Sequence, residues 1–201
     1  VQGDRADAGS GNVNPVVKFR FVENDAGVTF NQYDGGANAG LLDNFIGAPS
    51  VYCVWAMPQD GITVPADFNA SVSGYIRGIW DGSASGTGAG TLTGPDASGY
   101  YTIKLTGVQI PPSATLLTGG VGYSYSLTSA PPLVQTNISA YGYNAATKQS
   151  GLSVPAPNVW KTATGYTGRR AIVDNEKCKN CHGALGVAPS FHAGQRNNGP
   201  T

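Results

Sequence analysis

Apolar residues in this chain come in runs of strand length, with no sustained 3.6-residue stripe between one run and the next, and that pattern restricts the fold more than any other feature. Val16-Val17-Lys18-Phe19-Arg20-Phe21-Val22 is β-branched and aromatic with partial alternation, and Val51-Tyr52-Cys53-Val54-Trp55-Ala56-Met57 is a nearly continuous apolar run. Both predict core strands. Further candidates are Val72 to Trp80, Tyr100 to Val108, Val121 to Thr128 and Leu133 to Tyr143, where Tyr, Ile and Thr recur beside turn residues. Asp34-Gly35, Asp60-Gly61 and Asp81-Gly82 punctuate them as turns. Strands that succeed one another without helices pair antiparallel, so a mainly β protein is expected, an antiparallel Greek-key sandwich or split barrel. No internal repeat recurs at a fixed period.

The 29 Gly and 13 Pro of 201 residues suit turn-rich β structure and fall short of the roughly 25–30% of low-complexity disorder. Residues 1–14 are polar and Gly-rich and read as a flexible leader. The β domain then spans 15–158, closed by Pro155-Ala156-Pro157, and a distinct segment occupies 159–201. Val1-Gln2-Gly3-Asp4 has neither the basic start nor the apolar run of an export signal. No apolar run reaches the 18 residues of a membrane-spanning helix.

The formal net charge is zero, which argues against a global nucleic-acid or membrane-surface role. Its distribution is uneven. Residues 161–201 hold six Lys and Arg against Asp174 and Glu176, a net +4, so residues 1–160 are −4. Such a basic segment is ordinarily solvated surface, here also a counterpart for anionic propionates, and otherwise a docking face for an anionic partner.

That basic segment contains Cys178-Lys179-Asn180-Cys181-His182, a C-x-x-C-H sequence and the attachment signature of c-type haem. Positions i, i+3 and i+4 share one face of a helical turn, so both sulfurs can meet the two vinyl groups while the adjacent imidazole meets the iron. The 159–201 segment is therefore expected to be a short helical or loop haem-binding segment carrying one haem c. Asp174 is the expected N-cap of the turn, and Gly183 or Gly186 its end. A zinc site of Cys178, Cys181, His182 and His192 has enough ligands, but sequential Cys181 and His182 strain a shared tetrahedron. A thioredoxin-like pair lacks its βαβ context. Haem joins thiols outside the cytoplasm, so the motif implies an exported protein.

Met57 is the only methionine and His192 the only other histidine, so they are the candidates for the second axial position. Met57 lies in an apolar strand sequence and reads as core filling. His192 follows Phe191 in a Gly- and Pro-containing stretch, and ten extended residues at ~3.3 Å each let it reach ~33 Å from His182, enough to round a porphyrin edge. Ligation by His182 and His192 is expected, which fills both axial sites and favours electron transfer over binding of small molecules. Cys53 reads as a buried inert thiol. Ser83 to Gly90 resembles a phosphate-binding glycine loop only superficially, because Thr91-Leu92-Thr93-Gly94-Pro95 follows where a helix must begin, and a mobile hairpin tip is expected instead. Asn69-Ala70-Ser71 and Asn137-Ile138-Ser139 match glycosylation triplets common by chance.

Four stretches together carry a family likeness: Met57-Pro58-Gln59-Asp60-Gly61-Ile62-Thr63, Gly74-Tyr75-Ile76-Arg77-Gly78-Ile79-Trp80, Ala163 to Val173, and Phe191-His192-Ala193-Gly194-Gln195-Arg196-Asn197. They resemble the N-terminal part of OmcA/MtrC-type outer-surface multihaem cytochromes. The resemblance implies a Greek-key β domain followed by a first haem, and a role in passing electrons to metal oxides, flavins or partner cytochromes at the bacterial outer-membrane surface or outside the cell. Those relatives carry many haem motifs where this chain carries one. Three functional classes remain: an electron carrier, a terminal metal or flavin reductase, and a β docking or adhesion module stapled by haem. A periplasmic location and self-association also stay open.

Overall fold

The structure, a computed structural model, describes residues 2–4, 12–23, 25–30, 49–58, 69–122, 124–125, 143–144, 149–150, 154–155, 159–168 and 174–182. The protein is mainly β, with antiparallel sheets and few helices. The chain divides into two compact units, one of Val1–Leu41, Ser50–Val121 and Val159–Arg170, the other of Leu42–Pro49, Gly122–Asn158 and Ala171–Thr201.

The first unit contains two four-stranded sheets. One runs in the order β1 (Gln2–Asp4), β2 (Asn14–Phe19), β8 (Tyr101–Leu105), β7 (Gly90–Thr93); the other runs β14 (Lys161–Thr162), β9 (Leu117–Gly122), β5 (Ser50–Trp55), β6 (Ala70–Tyr75). Lettered along the chain, these orders are A-B-E-D and G-F-C-C′, the strand order of immunoglobulin-type sandwiches. A small hairpin of β3 (Phe21–Glu23) and β4 (Ala26–Val28) follows β2. Gln2–Asp4, within the stretch read as a leader, pairs with β2, and Lys161–Thr162, beyond the expected end of the β domain, pairs with β9.

Alternation explains which residues enter the core. On β5, Val51, Cys53 and Trp55 point inward and are buried; on β8, Tyr101, Ile103 and Leu105 do so. Each fully buried aliphatic side chain is worth about 1.5–3 kcal/mol against exposure. The two sheets meet at Gly74 of β6. A Cβ there would lie 2.9 Å from the Gly88 carbonyl oxygen and 3.3 Å from Leu105 Cδ2 on the facing sheet. Only glycine admits that approach.

Tyr101 ties the core to residue 30. Its hydroxyl accepts the Phe30 backbone N–H at 2.9 Å and donates to the Phe30 carbonyl at 3.0 Å, while the two rings stack at 3.9 Å. A buried phenol needs such partners, and here one backbone residue supplies both.

Two expectations change. The run Val72 to Trp80 is strand only to Tyr75; a short helix, α1 (Ile76–Asp81), follows. Ile76, Ile79 and Trp80 are its buried residues, spaced i, i+3 and i+4, so helical rather than alternate spacing puts all three into the core. Gly82, at φ 77°, ends it in the left-handed conformation. The glycine stretch 83–90 is likewise no hairpin tip. A 3-10 turn at Gly86–Gly88 leads into β7, and the Ala89 carbonyl accepts the N–H groups of Thr106 at 2.9 Å and Gly107 at 3.1 Å, which anchors the crossover between sheets.

Of the other candidate runs, Val51 to Met57 contains β5, Tyr100 to Val108 contains β8, and Val16 to Val22 covers most of β2 and the start of β3. Val121 to Thr128 overlaps the end of β9 and β10 (Ser124–Tyr125), while of Leu133 to Tyr143 only Tyr143 is among the described residues. In the second unit β10 pairs with β13 (Val154–Pro155), β11 (Tyr143–Asn144) pairs with β12 (Gln149–Ser150), and α2 spans Asn175–His182. Among the described residues no helix is long and apolar enough to cross a membrane.

Candidate functional site

Helix α2 carries Cys178, Cys181 and His182 at i, i+3 and i+4. The helix forms where the sequence puts its cap. Asp174 Oδ1 accepts the Glu176 N–H at 3.0 Å, and the Asp174 carbonyl accepts the Cys178 N–H at 3.2 Å, closing the first helical turn. Glu176 adds a negative charge to that first turn, where the exposed N–H groups favour it. A capping residue of this kind contributes about 1 kcal/mol.

Position by position, the helix places Cys178 half-buried and Cys181 exposed, neither in a disulfide. Two free thiols one turn apart, followed at once by a histidine, are the donor set that covalent haem attachment needs. The residues therefore fit that cofactor. His182 is the last residue of α2. His192 lies outside the described residues, as do Asn137 and the turns Asp34-Gly35 and Asp60-Gly61. Among the described residues no three His, Cys, Asp or Glu side chains gather into a set for a bare metal ion.

The remaining singled-out residues have local explanations. The Asn69 side chain accepts the Met57 N–H through Oδ1 and donates through Nδ2 to the Met57 carbonyl, both at 2.7 Å. That pair of bonds gives the asparagine of the first glycosylation triplet a structural role and pins the backbone of Met57. Cys53 has no exposed surface, and burial pushes its thiol up to about 12. The thiolate form is therefore scarce, as expected for an inert core cysteine.

One cluster went unforeseen. Lys18 Nζ lies 2.6 Å from Asp96 Oδ2, and Lys18 and Arg20 both approach the Tyr100 ring, at 5.2 and 4.9 Å from its centroid. Lys18-x-Arg20 places two cations on one face of the chain, which was a visible signal; Tyr100 and Asp96 join only through the β2–β8 pairing. The Asp96 carboxylate also accepts the N–H groups of Ser98 and Tyr100, at 2.9 and 3.0 Å, so the cluster braces the turn before β8.

No protein-family model, curated protein or solved structure matches the chain.

Proposed function

We propose that this chain is an electron-transfer module carrying one covalently attached haem c, with Cys178 and Cys181 forming the thioethers, His182 the proximal iron ligand and His192 the distal one. The observation that carries the reading is the capped helix on which two unpaired thiols and a histidine stand at i, i+3 and i+4. When bound, the haem supplies a one-electron iron couple. The residues of the chain would hold it: the cysteines would fix its position through thioethers, and His182 and His192 would ligate its iron. The basic segment 161–201 gives the propionates, or an anionic partner, a complementary surface.

The donors and acceptors in this proposal are partner cytochromes, flavins or metal oxides outside the cell, with the chain exported to the bacterial outer-membrane surface as in the OmcA/MtrC-type family. An intact mass and an absorption spectrum test the reading together. The expected mass is polypeptide plus one haem, retained in denaturant and lost when Cys178 and Cys181 are both replaced by Ala. The spectrum should be low-spin in the parent and high- or mixed-spin in His192→Ala. Haem that leaves the parent chain on denaturation overturns the covalent assignment, and a low-spin His192→Ala spectrum removes His192 as ligand.

A further inference from the structure

We infer that Asp174 is a positioning residue for haem attachment: it holds α2 together in the haem-free chain, and its influence ends once both thioethers have formed. The inference rests on the haem reading above. Eight residues are fewer than the ~12–15 that an isolated helix needs to persist in water. Of those eight, only Glu176, Lys177 and Lys179 are strong helix formers; Asn175, Asn180, the two cysteines and His182 are weak ones. Of its described side chains, Glu176, Lys177, Asn180 and Cys181 are exposed and Cys178 is half-buried. The cap supplies two bonds at the start of the helix, one residue satisfying the Glu176 N–H with its side chain and the Cys178 N–H with its carbonyl.

Helix population matters to the chemistry. Each thiol adds across one vinyl group: the S–H bond and the C=C π bond break, a C–S and a C–H bond form, and nothing is oxidised or reduced overall. In an extended chain residues three apart face opposite sides and lie ~10 Å apart, so the second thiol is badly placed for the second vinyl. In the helix Cys178 and Cys181 share a face. Loss of a cap of ordinary strength, about 1 kcal/mol, lowers the equilibrium constant for forming the helix about fivefold. After closure, two thioethers and the His182 ligation span the same turn, and the cap becomes redundant.

The test expresses the full chain with a haem-attachment system for a limiting time and measures the holo fraction by intact mass in denaturant. Asp174→Ala should lower that fraction several-fold while leaving the sandwich melt unchanged. Asp174→Asn, which keeps the capping oxygen without the charge, should restore it. Asp174→Glu, which keeps the charge but carries the carboxylate past the amides, should not. Holoprotein recovered from Asp174→Ala should match the parent in spectrum and midpoint potential. Equal attachment in Asp174→Ala and parent overturns the inference, as does rescue by Glu equal to that by Asn, or a shifted potential in the holo variant. A parent chain without covalent haem is a separate result, and it removes the haem reading itself.

Discussion

Cys53 stands on β5 between Val51 and Trp55 with no exposed surface, whereas Cys178 and Cys181 stand on a short helix, one half-buried and one exposed. The first is held by burial and by a strand register that joins residues far apart in sequence: Val17 opposes Ile103, and Tyr101 reaches back 71 residues to Phe30. The others stand on a helix whose first turn is closed within four residues, by bonds to Asp174 from Glu176 and Cys178. A thiol in the sandwich is kept from chemistry by its surroundings. The thiols on α2 are left open to it, with just enough local order to be presented together.

The most direct way to break that contrast is thiol labelling, where the effect is all or none. In the haem-free chain at pH 8, an alkylating reagent should modify two cysteines under native conditions and three in denaturant. With Cys53 pushed up to about 12, only about one molecule in ten thousand carries the thiolate at that pH, and the packed core also blocks the reagent. In the haem-loaded chain the counts should fall to none and one. Three labels on the native haem-free chain would show that the sandwich opens around β5 and would erase the distinction.

Next in size is a core truncation. Ile103 has no exposed surface and lies between Val17 on β2 and Leu92 on β7. Ile103→Ala should cost about 2–5 kcal/mol in chemical unfolding followed by the β signal. Folded variant should still accept haem to the parent's extent, since α2 is organised by its own cap. Attachment that falls in step with sandwich stability would tie the two regions together and sink the comparison.

The same contrast decides what was legible in the sequence. The inner strands were, because Val51 to Trp55 and Tyr101 to Leu105 bury alternate side chains, and hydrophobic alternation is a local signal. The capped turn over Cys178 to His182 was, because Asp174 acts within one turn of it. Ile76 to Trp80 misled because a single helical turn is shorter than any window that separates a 3.6-residue period from a period of 2. Strands β1 and β7 gave no warning: Gln2-Gly3-Asp4 has no apolar side chain and Gly90-Thr91-Leu92-Thr93 has one. Their partners across the sheet define them. The Tyr101–Phe30 bonds and the Gly74 contact depend on the closed sandwich and leave no local trace.

The smallest expected effect sharpens the comparison at its finest point, because the sandwich contains its own copy of the α2 device. Asp96, like Asp174, accepts the N–H two residues ahead, here that of Ser98. Lys18 first, then the Tyr100 and Ser98 N–H groups, hold its carboxyl down to about 2 from 3.8. The folded state therefore favours the carboxylate. Its contribution is fully present above the ordinary value near 3.8 and is lost as pH falls through about 2, a window in which the unfolded chain binds more protons and stability rises with pH. Both partners are well exposed, so the effect is weak and screened by salt. Asp96→Asn keeps a capping oxygen but removes the charge, so urea midpoints of variant and parent should differ slightly at pH 5 and converge towards pH 2, with a smaller gap in high salt. Parallel curves across that range would mean that the β2–β8 ladder alone holds the turn. Either way the β2–β8 ladder backs Asp96, so removing its capping oxygen altogether should matter less at this turn than Asp174→Ala does at α2.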